Sequence, residues 1–200
     1  MPSAAARMRT LPVGSVGVRA SGWWGMMCLI GTEAALFAYL LFSYYYFAVQ
    51  FGRSFLPNEL PSVRLSGPDT LILILSSVAV WWGERGIRQG STVRLAIGLL
   101  LGSVLGAVFV GIQYLEWLDK PFVLSADSYS SLYFTITGFH MAHVAVGVLI
   151  LVVLLAWSVL GYFDRVRHAA VSIGAIYWHF VDAVWLAIFF TFYVTPYLGW

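Results

Sequence analysis

The sequence predicts an all-α polytopic membrane protein, a bundle of five transmembrane helices with its N-terminus in the cytoplasm and its C-terminus outside. Three observations carry this. The 200 residues are 60% hydrophobic and only 10% charged, too little charge to clothe a water-soluble surface. The apolar residues gather into five runs, most of them near or above the roughly 20 residues that a span needs. None of the runs alternates with period two, so they read as helices, which satisfy their own backbone in lipid, and not as barrel strands.

The first run, roughly Trp23 to Val49, carries one acid, Glu33, in CLIGTEAALFAYLLF. The second, roughly Asp69 to Trp82, is the shortest and has to borrow length from its flanks. The third, Arg94 to Trp117, places Gly98, Gly102 and Gly106 at spacing four along one face, where another helix can come close. Glu116 stands at its outer end. The fourth, Ser128 to Leu160, holds His140 and His143, and the fifth, Val171 to Val194, contains YWHFVDAVW with His179 and Asp182. Residues 1–21 are expected to form a cytoplasmic tail and residues 22–200 a single membrane domain. The opening segment MPSAAARMRTLPVGSVGVRASG contains arginines and lacks an apolar core, so it does not read as a secretory signal.

Charge sets the orientation. With the N-terminus inside, that side collects Arg7, Arg9, Arg19, Arg85, Arg88, Arg94, Arg165 and Arg167, against Arg53, Arg64 and Lys120 outside. Eight basic residues facing three is the positive-inside pattern. Nine tryptophans and eleven tyrosines suit two membrane–water boundaries. The single cysteine, Cys28, excludes a disulfide framework or a multi-thiolate metal centre. A formal charge of +2 gives no reason to expect nucleic acid as a partner.

The chemistry lies in what does not belong in hydrocarbon. A charged group at mid-helix costs about 2.5–3.5 kcal/mol on insertion scales. Glu33, His140, His143, His179 and Asp182 therefore turn inward, pair, or stay neutral. Each of the pairs His140/His143 and His179/Asp182 is separated by three residues, about 60° around a helix, and a polar seam between the fourth and fifth helices would satisfy both. Glu33 has no cation within a turn of its own segment, so it is either a neutral acid or paired to a histidine from another helix. Three readings compete. Histidines and carboxylates invite a metal or haem site, but no HExxH-type pattern occurs and His168 falls in a charged loop. A proton or ion path through Glu33 and the histidines is the second, without an internal repeat or broken helices to support it. By spacing alone the third leads: inter-helix polar ties that lock the bundle and meet lipid or a partner subunit.

At this point four blocks resemble subunit III of the haem–copper terminal oxidases. YWHFVDAVW is similar to that family's closing-helix signature, and DSYSSLYFTITGFHMAHVAVG to its long-helix signature with a GFHxxHV core. GTEAALFAYLL resembles the block around the family's intramembrane glutamate, and QYLEW its Gln–x–Tyr–Glu–aromatic end. The blocks stand in the family's order and span most of the chain after residue 22. Thr32, Ser130, Met141 and Ala142 depart from the usual residues, all by modest changes that bear on local packing. Many members have seven helices, and the resemblance here implies a short, five-helix bacterial form in the cytoplasmic membrane.

The resemblance implies a non-catalytic subunit of an oxidase that reduces oxygen to water and pumps protons. No metal or redox cofactor would be bound by this chain. Haems and copper would reside in partner subunits, with oxidase subunit I packed directly against it, other oxidase subunits nearby and phospholipid held at its surface. Glu33 would be the family's intramembrane carboxylate, and His140, His143, His179 and Asp182 the inter-helix ties. A quinol oxidase subunit or a nitric oxide reductase accessory protein remains an alternative within the family. A haem- or metal-binding membrane enzyme remains one outside it.

Overall fold

A computed structural model describes residues 21–57 and 63–198. Among the described residues every regular element is a helix, with no strand. Helices α1 (Ser21–Phe51), α2 (Val63–Arg88), α3 (Thr92–Leu118), α4 (Ser128–Val159) and α5 (Ala169–Phe189) follow one another in chain order. All five are long and apolar enough to cross a membrane. The expected tail, apart from Ser21, and its three arginines lie outside the described residues.

Four of the five expected spans fall close to their helices. The second does not: the sequence marks Asp69 to Trp82, and the helix runs over Val63–Arg88. Hydropathy loses the helix at each end where it leaves hydrocarbon. Near its N-terminus Pro68 sits in the second turn, where its missing N–H removes a single bond from the ladder. At its C-terminal end the charged turn is held by an i,i+4 ion pair, Arg88 Nη2 to Glu84 Oε1 at 2.6 Å.

Local chemistry fixes the connections. The α2–α3 turn passes through Gly90 at φ +89°, a conformation that costs glycine little, before Ser91 caps α3 by accepting from the Arg94 N–H. Asp127 caps α4, its Oδ1 accepting from the Ser130 N–H at 2.7 Å. In the α4–α5 loop, Asp164 Oδ1 accepts from the N–H groups of Val166 and Arg167 at 2.8 and 2.7 Å, and Oδ2 accepts from Arg167 Nε at 2.8 Å. After Phe189, α5 widens into a π turn over Phe190–Val194 and closes with a 3-10 turn, Thr195–Tyr197, carrying Pro196.

Lipid is as apolar as leucine, so helices associate here through close packing and hydrogen bonds, with little hydrophobic drive. The closest partnership is α2 with α3. A Cβ on Gly98 would stand 2.6 Å from the Ala79 carbonyl oxygen and 2.7 Å from Gly83 Cα, so the two backbones touch. Gly102 faces Val80 and Leu151, and Gly106 faces Trp178 and Val148. Helix α1 is peripheral, burying only Phe37, Tyr44 and Ala48 and lying against α4 and α5.

Gly98→Val should push α2 off α3 and lower stability by about 1–3 kcal/mol, the usual cost of overpacking. Gly111→Ala, where nothing lies within 4 Å, should leave the thermal midpoint unchanged. The Arg167 backbone N–H and then its guanidinium hold the Asp164 carboxyl below the usual carboxylate range. A group depressed in the folded state contributes stability above its ordinary pKa and loses it as pH falls through the folded value. Protection of the Val166 and Arg167 amides from hydrogen exchange should therefore fade in acid. In Asp164→Asn it should be weaker at neutral pH and indifferent to acid.

Intramembrane polar ties as the candidate functional site

Helix α5 carries most of the ties. Trp178 and Trp185 stand seven residues apart, two turns, and so point to the same side. Both indoles are fully buried, and each donates to a hydroxyl on α2: Trp178 Nε1 to Ser76 Oγ at 3.1 Å, Trp185 Nε1 to Thr70 Oγ1 at 3.0 Å. His179 Nδ1 lies 3.3 Å from Ser77 Oγ on the same helix. Asp182 lines the surface near Ser77, with its Oδ1 shielded and without a hydrogen-bond partner.

The second tie joins α1 to α4. Glu33 Oε2 lies 2.9 Å from His143 Nε2, and His143 Nδ1 lies 2.6 Å from the Phe139 carbonyl oxygen. A carbonyl only accepts, so Nδ1 carries a hydrogen and the tautomer is fixed. The Nε2–Oε2 contact then holds one proton, on the imidazole or on the carboxyl. Glu33 thus meets a histidine partner from another helix.

The expected seam between α4 and α5 is corrected by this geometry. His143 reaches α1, and His179 reaches α2. Only His140 sits between α4 and α5, and it does so by ring packing, stacked on Trp185 at 5.1 Å and edge-on to Phe109 at 5.9 Å. Neither of its ring nitrogens has a hydrogen-bond partner. Spacing i,i+3 leaves about 60° between two side chains, enough in a bundle to send them to different neighbours.

A third tie was only partly visible in the sequence. Glu116 is buried and takes Ser66 Oγ on both oxygens at 3.0 and 2.9 Å, while its Oε1 also accepts from Tyr193 OH at 2.6 Å and Lys120 Nζ at 2.8 Å. The Tyr133 hydroxyl is 3.1 Å from that of Tyr193, and the Lys120 ammonium stands over both rings. Lys120 was legible as the i+4 partner of Glu116. Ser66 and Tyr193 were not, because nothing in their local sequence marks a partner 50 or 77 residues away. One turn deeper, Asp69 and Gln113 are fully buried without hydrogen-bond partners. Among the described residues, no three of the His, Cys, Asp and Glu side chains converge as a set that could hold a metal ion.

Glu116→Ala would strand the half-buried Lys120 ammonium and leave the buried hydroxyls of Ser66 and Tyr193 without their acceptor, and the expected loss of stability is about 3–5 kcal/mol. The Glu84–Arg88 pair, whose arginine side chain is 58% exposed, gives the contrast. Glu84→Ala should cost about 0–1 kcal/mol in the same denaturation assay.

Residues 13–197 match the family profile described as cytochrome c oxidase subunit III. Cytochrome c oxidase subunit 3 of Pongo abelii is 32% identical over 191 residues, covering 92% of this chain and 71% of that protein. The Drosophila melanogaster protein of the same name is 30% identical over 186 residues, covering 90% and 70%. That of Arabidopsis thaliana is 37% identical over 137 residues, covering 68% and 50%. The match runs through all five helices: the chain belongs to the cytochrome c oxidase subunit III family of the haem–copper oxidases.

Proposed function

We propose that the chain serves as the non-catalytic third subunit of a proton-pumping oxidase in a bacterial cytoplasmic membrane. In this reading it packs directly on subunit I, holds phospholipid and supports proton uptake by the catalytic subunit. Haems and copper belong to the partners. The names of the relatives favour cytochrome c over quinol as the electron donor. Arg85, Arg88, Arg94, Arg165 and Arg167 gather at one end of the bundle, which supports placing that end, and the N-terminus with it, in the cytoplasm.

The observation that carries the non-catalytic reading is how the intramembrane imidazoles are used. Both nitrogens of His143 are engaged, by Glu33 and by the Phe139 carbonyl. His140 is sealed among aromatic rings, and His179 turns a nitrogen to Ser77. Metal-ligating histidines converge on one point with a second-shell partner behind each, and these three point to three different helices. What the Glu33–His143 contact offers instead is a single proton held between two groups. It lies 12 residues into α1, about 18 Å along the helix axis.

Purification in mild detergent tests this. The chain should co-elute with a haem-bearing oxidase subunit, and after separation should show no haem absorption and no stoichiometric transition metal. A haem band that stays with the isolated chain would overturn the reading.

A further inference from the structure

The polar cluster around Glu116 does not stop at its hydrogen-bonded layer. Two contacts, Ser66 with Glu116 and Gly83 with Gly98, fix α2 and α3 in antiparallel register. Three residues onward on α2 therefore lies opposite three residues back on α3, which brings Asp69 level with Gln113. Both side chains are fully buried. Neither oxygen of Asp69 has a hydrogen-bond partner, and neither the oxygen nor the nitrogen of the Gln113 amide has one. The Tyr133 hydroxyl of α4, tied to Tyr193 and Glu116, stands beside that amide outside bonding geometry.

Charge decides the state of the acid. Asp69 forms no ion pair among the described residues, and Lys120, the ammonium of this cluster, is given to Glu116 Oε1. An ionised Asp69 would add a second negative charge near Glu116 with no contact of its own to offset its burial. A protonated carboxyl presents a donor and an acceptor, as the Gln113 amide does. The two groups are complementary, yet they do not bond directly. Water joins buried polar groups that face one another beyond bonding distance, and it makes about three hydrogen bonds to groups otherwise unsatisfied. Asp69, Gln113 and Tyr133 supply that number. Among the described residues no third acid, histidine or cysteine converges on the pair to hold a metal ion.

We propose that Asp69 and Gln113 form a buried site that binds one water molecule and one exchangeable proton, with the Tyr133 hydroxyl completing the shell of the water. The site is separate from the Glu33–His143 pair, which joins α1 to α4. Tyr133, Glu116 and Lys120 connect it by hydrogen bonds to the bundle surface, where the lysine side chain is 11% exposed. It does not depend on the subunit reading above.

Infrared spectroscopy of the purified protein, with whatever subunits accompany it, tests the proton. At neutral pH the carbonyl stretch of a protonated carboxylic acid should be present, should move on exchange into heavy water, and should vanish in Asp69→Asn. That variant puts a neutral group of the same shape in place of the acid, so its thermal midpoint should match that of the unchanged protein. Asp69→Leu strands Gln113 and should lower the midpoint, and adding Gln113→Leu should recover part of the loss, because both partners of the water are then apolar. An acid band that is missing, or that survives Asp69→Asn, would overturn the bound proton. Losses that simply add in the double variant would overturn the shared water. A midpoint that rises with added sodium or calcium, and no longer does so in Asp69→Asn, would put a cation where the water and proton are placed.

Discussion

One side chain sets the spacing of the bundle. The Trp178 indole lies flat in a slot that exists only because Gly106 on α3 and Gly147 on α4 carry no side chain. A Cβ on either would come within 2.5 and 2.7 Å of the ring. Its Nε1 reaches the third wall, Ser76 on α2. A single residue of α5 thus touches three other helices, by dispersion on two sides and a hydrogen bond on the third. Where the hydrophobic effect gives helices no reason to associate, such contact is what remains. Gly98 and Gly83 extend the same logic to α2 and α3, whose backbones meet directly.

Around this wedge the membrane's cost for polar groups is met in distinct ways. Glu33 and His143 share a proton. Glu116 has a lysine, a serine and a tyrosine. His140 is enclosed by rings. The indoles and His179 find small hydroxyls on α2. These devices leave the interior tied at three depths.

Much of this was legible in the sequence. Composition and run length give five helices, and the glycines at spacing four mark the face of α3 that others approach. The residues that would need partners were legible too, because ionisable side chains in apolar runs stand out. Which partner each one takes was not. Helical spacing fixes an angle about one axis and says nothing of which neighbour lies there, so His140 and His143, three residues apart, part company. The length of α2 was hidden because its last turns hold Glu84, Arg85 and Arg88 outside the hydrocarbon. The π turn over Phe190–Val194, which leads Tyr193 to Glu116, has no local sequence mark beyond the Pro196 that follows it.

The peripheral place of α1 bears on how the protein is made. Its helical neighbours are α4 and α5, and the histidine that meets Glu33 lies 110 residues further along the chain. At about 5–20 residues per second a ribosome needs about 5–20 s to reach it. Through that interval the first helix waits beside the translocon with its acid uncompensated, while α2 and α3 already close as a hairpin. Of the five described helices, the first to be made is among the last to find its place.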